Sequence, residues 1–127
     1  MNPDPIYSVV VPFYNEAENL PRLIREIDAM LRVMERQAEI ILVDDGSTDT
    51  FAQPPGSPAF LIRWLHLSQN SGQSAAMYYG MQEARGEFII LMDADLQNDP
   101  MDAVKMMRKL EEERLDLVTG VRLHRND

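Results

Sequence analysis

Three short apolar runs in this chain each stop at a cluster of polar side chains, and that pattern limits the possible folds more than any other feature. Residues 88–92 (FIILM) run into Asp93, Ala94, Asp95, Leu96 and Gln97. Residues 39–43 run into Asp44 and Asp45, and residues 6–13, with Val9, Val10 and Val11, run into Tyr14, Asn15 and Glu16. Such short apolar, β-branched runs read as buried strands. Helical periodicity lies between them. Leu20, Leu23, Ile24, Ile27, Met30 and Leu31 mark one helix face reaching to about residue 36, and Asn19 and Pro21 suit its start. Residues 73–85 predict a second helix that Gly86 would stop, with Ala75, Ala76 and Gly80 as a small-residue face for close approach to the sheet or a ligand. A third helix, over 100–113, would turn Met101, Val104, Met107 and Leu110 inward. Residues 62–67 form a weaker strand interrupted by Arg63 and His66, and a last strand starts at 116–119. Residues 51–60, with Pro54, Pro55 and Pro58, read as a loop.

The order β-α-β-loop-β-α-β-α-β predicts an α/β fold, a mostly parallel sheet with helices on both faces. In such a sheet the carboxyl ends of the strands open on one side, where ligands bind. The three polar clusters therefore converge on one crevice. At 127 residues the chain is one domain at most, and its 45% hydrophobic content is ordinary for a globular domain. The net charge of −9 argues against nucleic acid as a partner, because phosphate backbones need a basic footprint. It is compatible with a site that binds a cation first and phosphate through it. The absence of cysteine excludes disulfides and thiolate metal sites. The start of the chain does not read as a signal peptide, and no apolar run reaches the roughly 20 residues that span a bilayer. A soluble chain is expected.

The residue types in the crevice suggest its chemistry. Asp93 and Asp95 are two residues apart at a strand end, so their carboxylates point the same way and repel unless a cation separates them. Oxygen ligands suit Mg²⁺ or Mn²⁺, and Gln97 repeats the two-residue step with a neutral oxygen. A solvated acidic turn, with Asp99 capping the next helix, is the alternative. Asp44 can accept a hydrogen bond from a base or ribose, while Asp49 suits a cap; turn chemistry alone would also place both. Tyr14 offers a flat face to a base and Glu16 can hold ribose hydroxyls, although Glu16 could equally serve a helix N-terminus. Arg122 and Arg125 can bind phosphate bidentately or form a solvated basic tail. His66 has no His or Cys partner nearby in sequence and reads as a structural or surface histidine.

Four segments occur in order: residues 10–16 (VVPFYNE), 43–49 (VDDGSTD), 70–73 (NSGQ) and 93–97 (DADLQ). With them the chain resembles the family 2 glycosyltransferases of GT-A fold. DADLQ and the ending GVR…RND point to the polyprenyl-phosphate glycosyltransferases, of dolichol-phosphate mannosyltransferase type. The resemblance covers nearly the whole chain and implies a Rossmann-like nucleotide-binding half of that fold. It implies that Pro12, Tyr14, Glu16 and Asp44 line a base and ribose pocket, and that Gly72 lets the backbone approach the nucleotide. Asp93, Asp95 and Gln97 would hold Mg²⁺ or Mn²⁺ and, through it, the diphosphate. Asp95 and Arg122 would be catalytic, with Arg122 and Arg125 contacting phosphates. Gln69 stands where relatives often carry arginine, which removes any contact made by that side chain.

The implied partners are a UDP- or GDP-linked sugar and a lipid-phosphate acceptor, with no nucleic acid. The implied location is cytoplasmic, at the cytoplasmic face of a membrane where the acceptor is lipid. The family's catalytic domain is roughly twice this length, still within the usual domain range. Residues 1–127 are therefore expected to be the donor-binding part, with acceptor residues and membrane association lying in a further segment or partner. A fragment that binds nucleotide without transferring sugar is the alternative. Two rivals fit poorly: a haloacid dehalogenase phosphatase wants a small Thr or Val where Gln97 stands, and a response-regulator receiver wants its acidic pair after the first strand.

Overall fold

The computed structural model of the chain describes residues 5–57, 60–94 and 100–113. The described elements, in order, are β1 (Tyr7–Phe13), α1 (Leu20–Met34), β2 (Ala38–Asp44), β3 (Gly56–Ser57), β4 (Phe60–His66), α2 (Gln73–Glu83), β5 (Phe88–Leu91) and α3 (Pro100–Glu113). The strands lie in the order β3-β4-β2-β1-β5. β4, β2, β1 and β5 run parallel, and the two-residue β3 pairs antiparallel with β4 at the edge.

The expected alternation is present, with adjusted bounds. α1 ends at Met34 because Glu35 takes a left-handed conformation (φ 54°) and its N–H bonds Leu31 O. α2 ends at Glu83, with Ala84 already extended, so Gly86 is not its stop. Gly86 serves instead to admit β1: a Cβ there would lie 2.7 Å from Ser8 N and Oγ. The predicted loop over 51–60 contains β3. The strand expected at 116–119 and the side chains of Met101 and Leu110 lie outside the described residues, whereas Val104 and Met107 are buried as expected.

Alternation along the central strands separates two cores. Val9 and Val11 of β1 and Ile40 and Leu42 of β2 pack with Leu20, Leu23 and Ile27 of α1 and with Val104 and Met107 of α3. Val10, Ile41 and Val43 face Ala76 of α2. Helices thus cover both faces. α2 approaches closely because its inner side is small: a Cβ on Gly80 would overlap Val10 Cγ1 and come within 3.0 Å of Val43 Cγ2.

Arg63 does not weaken β4. Its guanidinium bonds Glu39 (3.0 Å), Glu83 Oε2 (2.9 Å) and Glu83 O (2.6 Å). Glu39 is 2% exposed and also accepts from Ser8 Oγ (2.6 Å) and Arg85 N (2.7 Å). Burial pushes the Glu39 carboxyl up, but hydrogen bonds from Ser8, Arg85 N and Arg63 outweigh it and hold the group below its ordinary value.

Candidate functional site

The carboxyl ends of β1, β2 and β5 lie side by side because these strands are adjacent and parallel. β5 is short, and its register with β1 ends at Val10↔Leu91. Val10 O accepts from Met92 N, so Pro12, two residues on, turns its missing donor toward the same side, past the end of β5. A proline thereby sits in a central strand without loss of a ladder bond.

Asn15 joins the β1 end to the β2 end. It adopts φ 53°, which asparagine tolerates better than most residues, and its Oδ1 accepts from Thr48 N (2.8 Å) and Asp49 N (3.3 Å). Ser47 Oγ accepts from Asn15 N. Tyr14 beside it is 43% exposed. Glu16 lies at the entry to α1, where its carboxylate accepts from Asn19 Nδ2 (2.7 Å). Asn19 occupies the N-cap position of α1 as expected, but this contact replaces a side-chain cap. Asp49 Oδ2 accepts from Ala17 N (3.0 Å), at the turn before that helix.

Asp44 and Asp45 are both buried, and they have different partners. Asp44 Oδ1 accepts from Ser47 N (2.7 Å), while Oδ2 lies 3.0 Å from His66 Nδ1. The parallel register makes Asp44 and His66 direct cross-strand partners, which is how a histidine with no sequence neighbour finds a carboxylate. Burial raises the Asp44 carboxyl, but the hydrogen bonds from His66 and Ser47 prevail and keep it below the ordinary aspartate range. His66 also meets Gln53 Oε1 (3.0 Å) and stacks on Phe51, which in turn stacks on Trp64. A hollow of about 210 Å³ lies beside this cluster, between Ala17, Leu20 and Pro21 of the α1 entry and Phe51, Ala52 and Pro54.

Asp45 turns the other way. Its two oxygens accept from Ser71 N (2.8 Å) and Gly72 N (2.9 Å), just before α2. Gly72 adopts φ 97°, where side chains are strained, yet a Cβ there would meet nothing within 4 Å. The space above it is open. Gln73, the first residue of α2, donates from Nε2 to Asp93 Oδ1 at 2.7 Å.

The structure thus brings Pro12, Tyr14, Glu16, Asp44, Gly72 and Asp93 to one edge of the sheet. Asp95, Gln97, Arg122 and Arg125 lie outside the described residues. Among the described residues no three His, Cys, Asp or Glu side chains cluster as a metal site. The one described member of the expected ligand set, Asp93, is a partly exposed carboxylate just past β5, an oxygen donor of the kind hard cations take, and the neutral Gln73 amide donates to it. Sequence reasoning assigned no role to Asn15, Asp45 or Gln73. All three stood in the quoted motifs, but their partners are 26 to 34 residues away for the first two and 20 for the third.

Polar clusters at the carboxyl ends of adjacent parallel strands lie where open α/β folds bind their ligands. The sequence model of the family Glycosyl transferase family 2 matches residues 8–127, and the chain belongs to that family. Similar relatives include a dodecaprenyl-phosphate galacturonate synthase of Rhizobium johnstonii, 41% identical over 94% of this chain and 37% of the relative. An undecaprenyl-phosphate 4-deoxy-4-formamido-L-arabinose transferase of Yersinia enterocolitica is 40% identical, over 94% of this chain and 38% of its own length. The chain therefore spans under two-fifths of these relatives. Among solved structures, the mannosyltransferase PcManGT from Pyrobaculum calidifontis, in complex with GDP-Man and Mn²⁺, has a TM-score of 0.66 at 23% identity, covering 85% of this chain and 33% of that one. S. aureus TarS 1-349 in complex with UDP-GlcNAc has a TM-score of 0.63 at 21% identity, over 85% and 32%. These structures share the fold. No helix among the described residues is long and apolar enough to cross a membrane.

Proposed function

We propose that the chain is the donor-binding part of a transferase that moves a sugar from a UDP- or GDP-linked donor to a polyprenyl phosphate, with inversion at the anomeric carbon. The observation that carries the reading is the convergence of Asp44, Asp45 and Asp93 on one sheet edge in a family 2 chain. The relatives, named as polyprenyl-phosphate sugar transferases, favour the acceptor class.

In this reading Tyr14 stacks on the base, while Glu16 and Asp44 take up base or ribose hydrogen bonds. Pro12 shapes the floor of the pocket and Gly72 the wall nearest the nucleotide. Asp93, with Asp95 and Gln97, would hold Mg²⁺ or Mn²⁺. When bound, such a cation neutralises charge on the departing diphosphate. Arg122 and Arg125 would contact phosphates of donor or acceptor. An acceptor phosphate oxygen attacks the anomeric carbon, the bond from that carbon to the donor phosphate oxygen breaks, and its electron pair leaves with the nucleoside diphosphate. A phosphate monoester is already anionic near neutral pH, its second pKa being about 6, so no strong general base is required. The acceptor class implies work at a membrane face.

The test is calorimetry of UDP and GDP with and without Mn²⁺. Binding that strengthens with Mn²⁺ in the wild type and loses that gain in Asp95→Ala supports the site; unchanged Mn²⁺-dependent affinity in the variant refutes it. Transfer to polyprenyl phosphate from UDP- and GDP-sugars then separates a transferase from a fragment that only binds donor.

A further inference from the structure

We propose that Gln73 is a positioning residue for the Asp93 carboxylate and that Asp45 holds Gln73 in place, the two forming a strap across the carboxyl edge of the sheet. The proposal rests on the reading of Asp93 as a ligand of a divalent cation. β2 and β5 are not neighbours, because β1 lies between them. The strap joins them over the end of β1. It begins at Asp45, directly after β2, whose two oxygens accept from Ser71 N (2.8 Å) and Gly72 N (2.9 Å). It passes through Gly72, whose φ of 97° lets the chain turn into α2. It ends where Gln73 Nε2 donates to Asp93 Oδ1 at 2.7 Å.

Neither anchor can drift. Asp45 is 4% exposed and both its carboxylate oxygens accept hydrogen bonds. The body of α2 is seated by buried Ala76 and by Gly80 against Val10 and Val43. The first residue of the helix is therefore held at a set distance from the end of β5. A donor outside the ligand set fixes the plane of a ligating carboxylate, and losing such a partner typically weakens metal binding about 10- to 100-fold. An amide orients a carboxylate by hydrogen bonding without adding a positive charge of its own.

Gln73 is exposed, so its replacement is expected to leave the fold intact. Gln73→Met keeps the length of the side chain and removes the donor. Mn²⁺ is titrated into the protein with saturating UDP, then GDP, followed by calorimetry and by loss of the free-Mn²⁺ electron paramagnetic resonance signal. The expected result is Mn²⁺ affinity about 10- to 100-fold weaker in Gln73→Met. Nucleotide affinity without Mn²⁺ and the melting temperature in EDTA should stay at wild-type values. A parallel fall in melting temperature would assign Gln73 a folding role and overturn the proposal. Asp93→Asn separates the two levels of inference. If it binds Mn²⁺ like the wild type, the cation reading falls and the strap with it. If it loses Mn²⁺ while Gln73→Met retains wild-type affinity, the strap alone falls.

Discussion

Adjacent aspartates at the end of β2 illustrate how much one residue of offset decides. Asp44 is the last residue of the strand and faces α1, so it meets His66 of the neighbouring strand and the turn N–H of Ser47. Asp45 lies past the strand and turns to the start of α2. The Asp44 carboxyl titrates below its unfolded value of about 3.9, because the His66 and Ser47 hydrogen bonds outweigh burial. A lowered carboxyl contributes stability that is present above the unfolded pKa and lost as pH falls through the folded one. Asp44→Asn should therefore lose less stability than the wild type on acidification from about pH 5 to pH 3. Urea unfolding midpoints across that range check it; parallel curves would contradict the assignment. The sequence showed that both aspartates belong to the crevice. It could not show which partner each would take, because those partners come from β4 and from the segment before α2.

At the scale of elements, α2 explains why small residues were placed where they are. Its face of Ala76 and Gly80 lets a helix lie against Val10 and Val43. Replacing a helical glycine by alanine ordinarily adds about 1 kcal/mol. At Gly80 the new methyl group overlaps Val10 Cγ1, a stiff β-branched side chain in a closed core, and overpacking of this kind costs about 1–3 kcal/mol. Gly80→Ala is expected to destabilise by about 1 kcal/mol net, measurable by urea unfolding; a gain in stability would mean that α2 can move away from the sheet. At the opposite end of the strands, Glu39, Ser8 and Arg63 tie β2, β1 and β4 together. Glu39→Met leaves Arg63 with only Glu83 and should cost about 3 kcal/mol, the low end for breaking a buried pair. The double replacement Glu39→Met with Arg63→Met should cost less than the sum of the two single changes, as a double-mutant cycle will read. The periodicity of residues 20–31 gave α1 directly, and Asn19 and Pro21 gave its start. Arg63 misled the reading of β4, because a partly buried charge looks like an interruption until its two glutamate partners are in place.

For the whole molecule, ligand binding and folding are linked. A nucleotide that binds the folded chain at about 100 times its dissociation constant adds about 2.7 kcal/mol. For a chain of this size that corresponds to a rise of about 10 °C in melting temperature. UDP or GDP with Mn²⁺ should produce this shift and EDTA should reduce it, as scanning calorimetry will test. The chain spans under two-fifths of the length of the relatives it matches.

The amino-acid sequence by itself determined the class of fold and the edge at which the polar clusters gather. Strand and helix periodicities are local properties, and parallel alternation forces strand ends to one side. Only the tertiary structure decided how the polar residues divide their work. The pairing of Asp44 with His66, the grip of Asp45 on Ser71 and Gly72, and the reach of Gln73 to Asp93 all depend on strand order and register. Hydrogen bonds act over about 3 Å, whereas these partners stand 20 to 27 residues apart in the chain, a distance that only packing can close.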